Sequence, residues 1–157
     1  QVEGELAVVI GRICKDVPVE RAQEAIFGFT VANDVTADGD WGADDMIRVK
    51  GSDTFCPLGP WMVTHFSVAE AGNVRLRTTV DGTVCQESST SEMIRSVSEL
   101  VSEISSRLTL LPGDVILTGT PAGAATVVPR QQVEVEIEGI GTLVNGAVAE
   151  HDTVLEG

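Results

Sequence analysis

The residues best suited to chemistry stand at the front of the chain. Glu3 and Glu5 flank a single glycine and run straight into Leu6-Ala7-Val8-Val9-Ile10. In a strand, side chains two residues apart point the same way. An unbroken apolar run of this length reads as a strand covered on both faces. Two carboxylates side by side at the mouth of a buried strand repel each other and resist desolvation. A hard cation relieves both problems, and Mg²⁺ or Ca²⁺ takes oxygen ligands of this kind. Spacing alone leaves a second reading open, in which both acids simply stand in water at a chain end. Val133-Glu134-Val135-Glu136-Ile137-Glu138 differs. There the acids alternate with a clean apolar face and line the wet side of a half-buried strand.

Other reactive side chains are weaker signals. Asp34 follows the β-prone run Phe29-Thr30-Val31-Ala32, but Asn33-Asp34 alone reads first as a turn or cap pair. Arg48-Val49-Lys50 alternates, so it either sets two cations on one face or forms a solvated strand edge. Thr118-Gly119-Thr120-Pro121-Ala122-Gly123 leaves an apolar run and suits either an anion or a plain turn. It is not a Walker loop, because no lysine follows the glycines. Cys56 reads as a packed thiol, and His65 as a structural residue.

The elements that must position these groups follow from pattern. Asp16-Val17-Pro18-Val19-Glu20 opens a short helix expected to end near Phe27-Gly28. Residues 37–45 form a polar, glycine-containing loop with one tryptophan, suited to a lid or to a simple connection. Pro57, Gly59 and Pro60 predict a rigid turn. Val74–Val80, Asp81-Gly82 and Thr83-Val84 predict a hairpin. Ser89 with Glu92 matches a capping box, and apolar spacing from Met93 to Leu108 predicts one long helix reaching about Arg107. Val115-Ile116-Leu117 reads as a buried strand, and a last meander runs through residues 133–137 and 142–144.

Composition narrows the class. The 157 residues suit one domain, 1–157, with a real core, and no apolar run is long enough to span a bilayer. A formal charge of −14 disfavours nucleic acid and anionic membranes as partners. Cys14, Cys56 and Cys85 are scattered and odd in number, which suits reduced thiols and a cytoplasmic location. His65 and His151 are too far apart to suggest a zinc cluster. Sixteen glycines and few aromatics fit a turn-rich β protein. A buried strand at the very start leads us to expect a missing N-terminal segment, or a partner that covers it.

Four blocks then converge: Glu3-Gly4-Glu5 with its apolar strand, Val31-Ala32-Asn33-Asp34-Val35, Asp53 to Trp61, and Leu111 to Gly123. Together they resemble the C-terminal catalytic domain of the fumarylacetoacetate hydrolase family, which includes acylpyruvate hydrolases and 2-hydroxyhepta-2,4-diene-1,7-dioate isomerases. The resemblance implies an α+β, β-dominated fold: a mixed β-sandwich roll with one long and one short helix, usually in homodimers. It implies that Glu3, Glu5 and Asp34 bind Mg²⁺, or Mn²⁺ or Ca²⁺. Lys50 falls where the family contacts substrate and serves as the catalytic candidate. Thr120 falls where the family binds the substrate carboxylate.

The implied activity is metal-dependent C–C hydrolysis of a small 1,3-diketo acid, of acylpyruvate or fumarylpyruvate type, in aromatic-compound catabolism. Isomerisation or decarboxylation of hydroxymuconate- or oxaloacetate-type acids is the alternative, and a non-catalytic metal-binding paralogue is a third. The family's His/Glu base lies before the Glu-x-Glu strand, and neither His65 nor His151 matches it. The arginine the family carries after its Asn-Asp block is also absent, since Ala37 is followed by Asp38-Gly39.

Overall fold

The computed structural model describes residues 1–39 and 45–149. Most of the interior of the 37–45 loop, and His151, lie outside them. Eight strands form two four-stranded sheets. The first holds β1 (Gly4–Ile10), β2 (Ile26–Asn33), β3 (Leu58–Val63) and β6 (Val115–Leu117), in the order β3-β2-β1-β6. The second holds β4 (Arg75–Val80), β5 (Thr83–Ser89), β7 (Gln132–Ile137) and β8 (Gly141–Gly146), in the order β5-β4-β7-β8. Pairing between neighbouring strands is antiparallel throughout.

β1 is the spine of the first sheet, and all seven of its residues are buried. It pairs with β2 from Gly4↔Asn33 to Val8↔Phe29, and with β6 from Ala7↔Leu117 to Val9↔Val115. A strand between two partners and covered on both faces has no wet side, which is why its apolar residues do not alternate with polar ones. Leu6, Val8 and Ile10 join Phe29 and Val31 in the core, and meet Leu76, Val133, Val135, Ile137 and Leu143 from the second sheet. Each such side chain fully buried contributes roughly 1.5–3 kcal/mol.

The hairpin forms as its sequence requires. Val80 pairs with Thr83, and Asp81 and Gly82 have φ of 48° and 76°, the left-handed pair that matches strand twist. In β7, Val133, Val135 and Ile137 are buried, while Glu134 and Glu136 lie on the other face.

Five sequence expectations are corrected. The long helix does not start at Ser89. A single 3₁₀ turn occupies Thr90–Glu92, and Met93 is extended at ψ 139°. α3 then runs Val97–Arg107, with Ser96 and Glu99 forming the complete capping box; a second Ser-x-x-Glu pair wins because it meets the helical stripe in phase. The short helix near the start is 3₁₀ over Val19–Glu24, and Phe27-Gly28 already belong to β2. Residues 48–50 are not extended. α1 (Met46–Lys50) forms because the Asp45 carboxylate accepts the Arg48 N–H at 3.3 Å. The segment expected to be only a rigid turn contains β3, whose Pro60 is tolerated because β3 is an edge strand. β6 is likewise an edge, so Val115 is exposed rather than buried. α2 (Val68–Ala71) completes the helices among the described residues. No helix among the described residues is long and apolar enough to cross a membrane.

Candidate metal centre

The start of β1 is shaped by what a glycine permits. A Cβ on Gly4 would lie 2.2 Å from Thr78 Oγ1 and 2.9 Å from Val135 Cγ1, so this residue faces the second sheet at a distance only glycine allows. Glu3 and Glu5, one residue to either side, therefore turn to the opposite face. β6 stops at Leu117, which leaves the edge of β1 beyond it without a strand partner. Side chains complete that edge: Thr118 Oγ1 donates to Leu6 O at 2.9 Å, Thr120 Oγ1 to Gly4 O at 2.9 Å, and Gly4 N–H to Gln86 Oε1 at 3.0 Å. Gly4 N–H, Gly4 O and Leu6 O thus all have partners, and Gly119 N–H is left to hold Glu5 Oε2 at 2.6 Å.

The β2 side fixes the third acid. Asn33 pairs with Gly4 in the ladder, and its Oδ1 accepts Glu3 N–H at 3.1 Å. Asp34 N–H then donates to Glu3 O at 2.8 Å. Asn33-Asp34 is thus the end of a paired strand, and Asp34 leaves it facing Glu3 and Glu5. One carboxylate oxygen from each of Glu3, Glu5 and Asp34 lies within 4.8 Å of the others.

Lys50, at the end of α1, closes the group. Its Nζ donates to Asp34 Oδ2 and Thr36 Oγ1, both at 2.7 Å, and to Glu3 Oε2 at 3.0 Å. Arg48 does not join it and pairs with Asp45 at 3.1 Å. Burial works against the Lys50 charge, but the hydrogen bonds to Asp34 and Glu3 outweigh it, so its pKa stands above the ordinary lysine value.

Glu5 is only 4% exposed. Burial pushes its pKa from 4.5 up to about 7. The Gly119 N–H pulls the other way, the charges of Asp34 and Glu3 push up again, and Lys50 compensates only in part. The Cys56 thiol is also pushed up, first by burial and then by the charges of Asp34 and Glu5.

This donor set fits a hard divalent cation. Oxygens bound to one Mg²⁺ or Ca²⁺ at about 2.0–2.6 Å stand at most about 4–5 Å apart, which the 4.8 Å limit on this trio satisfies. The buried Glu5 carboxyl, short of compensating charge, is the group such an ion would hold ionised. The Lys50 ammonium lies between Glu3 and Asp34 and pairs with both.

The remaining candidates fall as follows. Thr120 sits beside the centre, but its hydroxyl is engaged on both sides, donating to Gly4 O and accepting from Gln86 Nε2 at 2.8 Å. His65 lies outside the cluster and stacks edge-to-face on Phe66, with ring centroids 5.1 Å apart. Sequence reasoning missed Gly4, Asn33, Thr36 and Gln86 as parts of the centre. For Gln86 a signal existed: it falls opposite Thr78, on the inward parity of a hairpin whose Arg75 and Arg77 point out.

Comparison with known proteins adds to this geometry. Residues 1–148 match the family model for the fumarylacetoacetate (FAA) hydrolase C-terminal region. The crystal structure of 5-carboxymethyl-2-hydroxymuconate delta-isomerase from Mycobacterium smegmatis superposes with TM-score 0.85 at 51% identity, over 94% of this chain and 58% of that one. The 4-hydroxyphenylacetate degradation bifunctional isomerase/decarboxylase of Salmonella dublin is 43% identical over 151 residues, 94% of this chain and 35% of that protein. Maleylpyruvate hydrolase from Sphingobium sp. SYK-6, in complex with manganese (II) ion and pyruvate, superposes with TM-score 0.85 at 30% identity, over 94% of this chain and 53% of that one. The chain spans a little over half the length of two of the curated relatives it matches, 56% and 58%.

Proposed function

The chain belongs to the fumarylacetoacetate hydrolase family, and from that premise we propose that it is a divalent-metal-dependent enzyme acting on a small 2-oxo acid or its enol. Family members include isomerases, decarboxylases and hydrolases. The observation that carries the reading is the convergence of Glu3, Glu5 and Asp34, with Lys50 hydrogen-bonded to two of them. These three acids would hold Mg²⁺ or Mn²⁺. Such an ion supplies Lewis-acid stabilisation of the negative charge that develops on an enolate oxygen.

The chain's own groups do the rest. Lys50 keeps its proton and brings a fixed positive charge to the acids, where it attracts and orients an anionic substrate oxygen. The 118–120 loop is the candidate for the substrate carboxylate, with the Gly119 N–H and the Thr120 position lying against Glu5 and the start of β1. Because its hydroxyl is already engaged, Thr120 acts there by shaping the loop. With −14 overall, the protein needs this local positive field to admit an acidic substrate at all.

Isomerisation is the first reading. It requires charge stabilisation and a proton moved between carbons, and the relatives named for isomerisation stand at 51% and 43% identity. C–C hydrolysis of a 1,3-diketo acid is the second, favoured by the maleylpyruvate hydrolase neighbour at 30% identity. Assembly as a homodimer belongs to the same proposal and is tested by light scattering. The test of function is turnover of a hydroxymuconate-type acid, oxaloacetate and acylpyruvates, with chelator and then with Mg²⁺ or Mn²⁺. Metal-dependent turnover lost in Glu3→Ala, Asp34→Ala and Lys50→Ala bears out the enzyme. Metal binding without turnover of any of them makes the protein a non-catalytic metal binder and overturns it.

A further inference from the structure

The inner side of the carboxylate centre is held by one side chain from the second sheet. Gln86 lies on β5 and is 1% exposed. Its Oε1 accepts Gly4 N–H at 3.0 Å, and its Nε2 donates to Thr120 Oγ1 and to Pro121 O, both at 2.8 Å. These contacts lie one or two residues from groups in the centre. Gly4 sits between Glu3 and Glu5. Thr120 follows Gly119, whose N–H holds Glu5 Oε2. Thr120 Oγ1 returns the link to Gly4 O, which closes a ring of hydrogen bonds through the carboxamide. The same carboxamide thus anchors both the strand that carries Glu5 and the loop that grips its carboxylate. Gln86 touches none of the three acids itself. Its neighbour Thr78 adds nothing to the ring, since the Thr78 hydroxyl is buried without a partner among the described residues.

We infer that Gln86 is a positioning residue: acting through Gly4 and the 118–121 loop, it holds Glu3 and Glu5 in the arrangement that binds the divalent ion. A methionine there fills the same volume but leaves Gly4 N–H and Pro121 O without partners, so strand and loop separate. Outer partners that orient metal ligands are worth about tenfold or more in metal affinity. The inference rests on the proposal that Glu3, Glu5 and Asp34 hold such an ion.

The experiment measures Mn²⁺ affinity of the purified protein by the loss of the free Mn²⁺ electron paramagnetic resonance signal. Gln86→Met is compared with Val101→Ala, a core truncation in α3, and the thermal midpoint is recorded for each. The expected result is a rise in Kd of about tenfold for Gln86→Met, with Val101→Ala staying near wild type despite its lower thermal midpoint. A change under about threefold in Gln86→Met, or an equal weakening in both variants, overturns the positioning role and leaves Gln86 as general packing. If Gln86→Met does not fold, Gln86→Asn, which keeps an uncharged carboxamide but is one methylene too short to reach both Gly4 N–H and Pro121 O, is read by the same criteria. Wild-type protein that binds no Mn²⁺ overturns the ion reading itself, before any variant is compared.

Discussion

Replacing Gly4 with alanine puts a methyl group where none fits. The new Cβ would stand 2.2 Å from Thr78 Oγ1 and 2.9 Å from Val135 Cγ1, against 3.4 Å or more for ordinary contact. One sheet must therefore withdraw by about 1 Å, and both neighbours are buried. Overpacking of this kind costs about 1–3 kcal/mol, and losing the Gly4–Gln86 hydrogen bond adds about 1 kcal/mol or more. A total near 3 kcal/mol, with a urea slope of about 2 kcal/mol/M, lowers the unfolding midpoint by roughly 1.5 M. Removing Thr78 Oγ1 relieves the tighter of the two contacts. Thr78→Ala alone should cost little, because that hydroxyl has no partner among the described residues, and the Gly4→Ala/Thr78→Ala pair should recover about half the loss. The assay is urea unfolding followed by circular dichroism. A midpoint shift below about 0.3 M for Gly4→Ala, or a double mutant as unstable as the sum of the singles, would refute the claim that sheet contact dictates this glycine.

Two further outcomes follow from the charges. In the metal-free protein Glu5 has its pKa raised from 4.5 to about 7, so the folded state binds this proton more tightly than the unfolded chain does. Its contribution to stability, about 3 kcal/mol, is complete below about pH 4.5 and is lost as pH rises through 7. Metal must displace the same proton, so Mn²⁺ affinity measured by calorimetry should be about 30-fold weaker near pH 5.5 than near pH 8. Glu5→Gln should flatten the stability slope, and a wild-type Mn²⁺ affinity that is flat across this range would count against the assignment. Lys50→Met removes the cation paired with Glu3 and Asp34. It should lower kcat by about 100-fold or more without weakening Mn²⁺ binding, and a variant that lost both together would show Lys50 to be scaffold rather than reactant.

The sequence made local patterns readable and tertiary ones obscure. β1 was legible because a strand buried on both faces leaves an unbroken apolar run. The Asp81-Gly82 turn was legible because its left-handed backbone needs those residue types. The Glu134–Glu138 alternation was legible because one face of β7 is wet. Glu3 and Glu5 could be paired from spacing. Their meeting with Asp34 and Lys50 could not, since it depends on β2 lying beside β1, and there the family resemblance supplied what spacing lacked. Helix α3 was seen but started too early, because two Ser-x-x-Glu pairs compete and only the Ser96 pair leads into the buried stripe of Val97 and Val101. Residues 48–50 were read as extended because alternation over three residues cannot outweigh a single capping carboxylate at Asp45. Gly4 and Gln86 stayed hidden, as their roles exist only once the second sheet is in place.

Three carboxylates sharing one ion define the proposed centre. The most direct measurement is the stoichiometry of Mn²⁺ binding to the wild-type protein and to Glu3→Gln, Glu5→Gln and Asp34→Asn, each confirmed as folded. One ion per chain in the wild type, with affinity collapsing in all three variants, is the result the geometry of Glu3, Glu5 and Asp34 requires. Unchanged binding in any one of them would mean that its carboxylate lies near the centre without belonging to it.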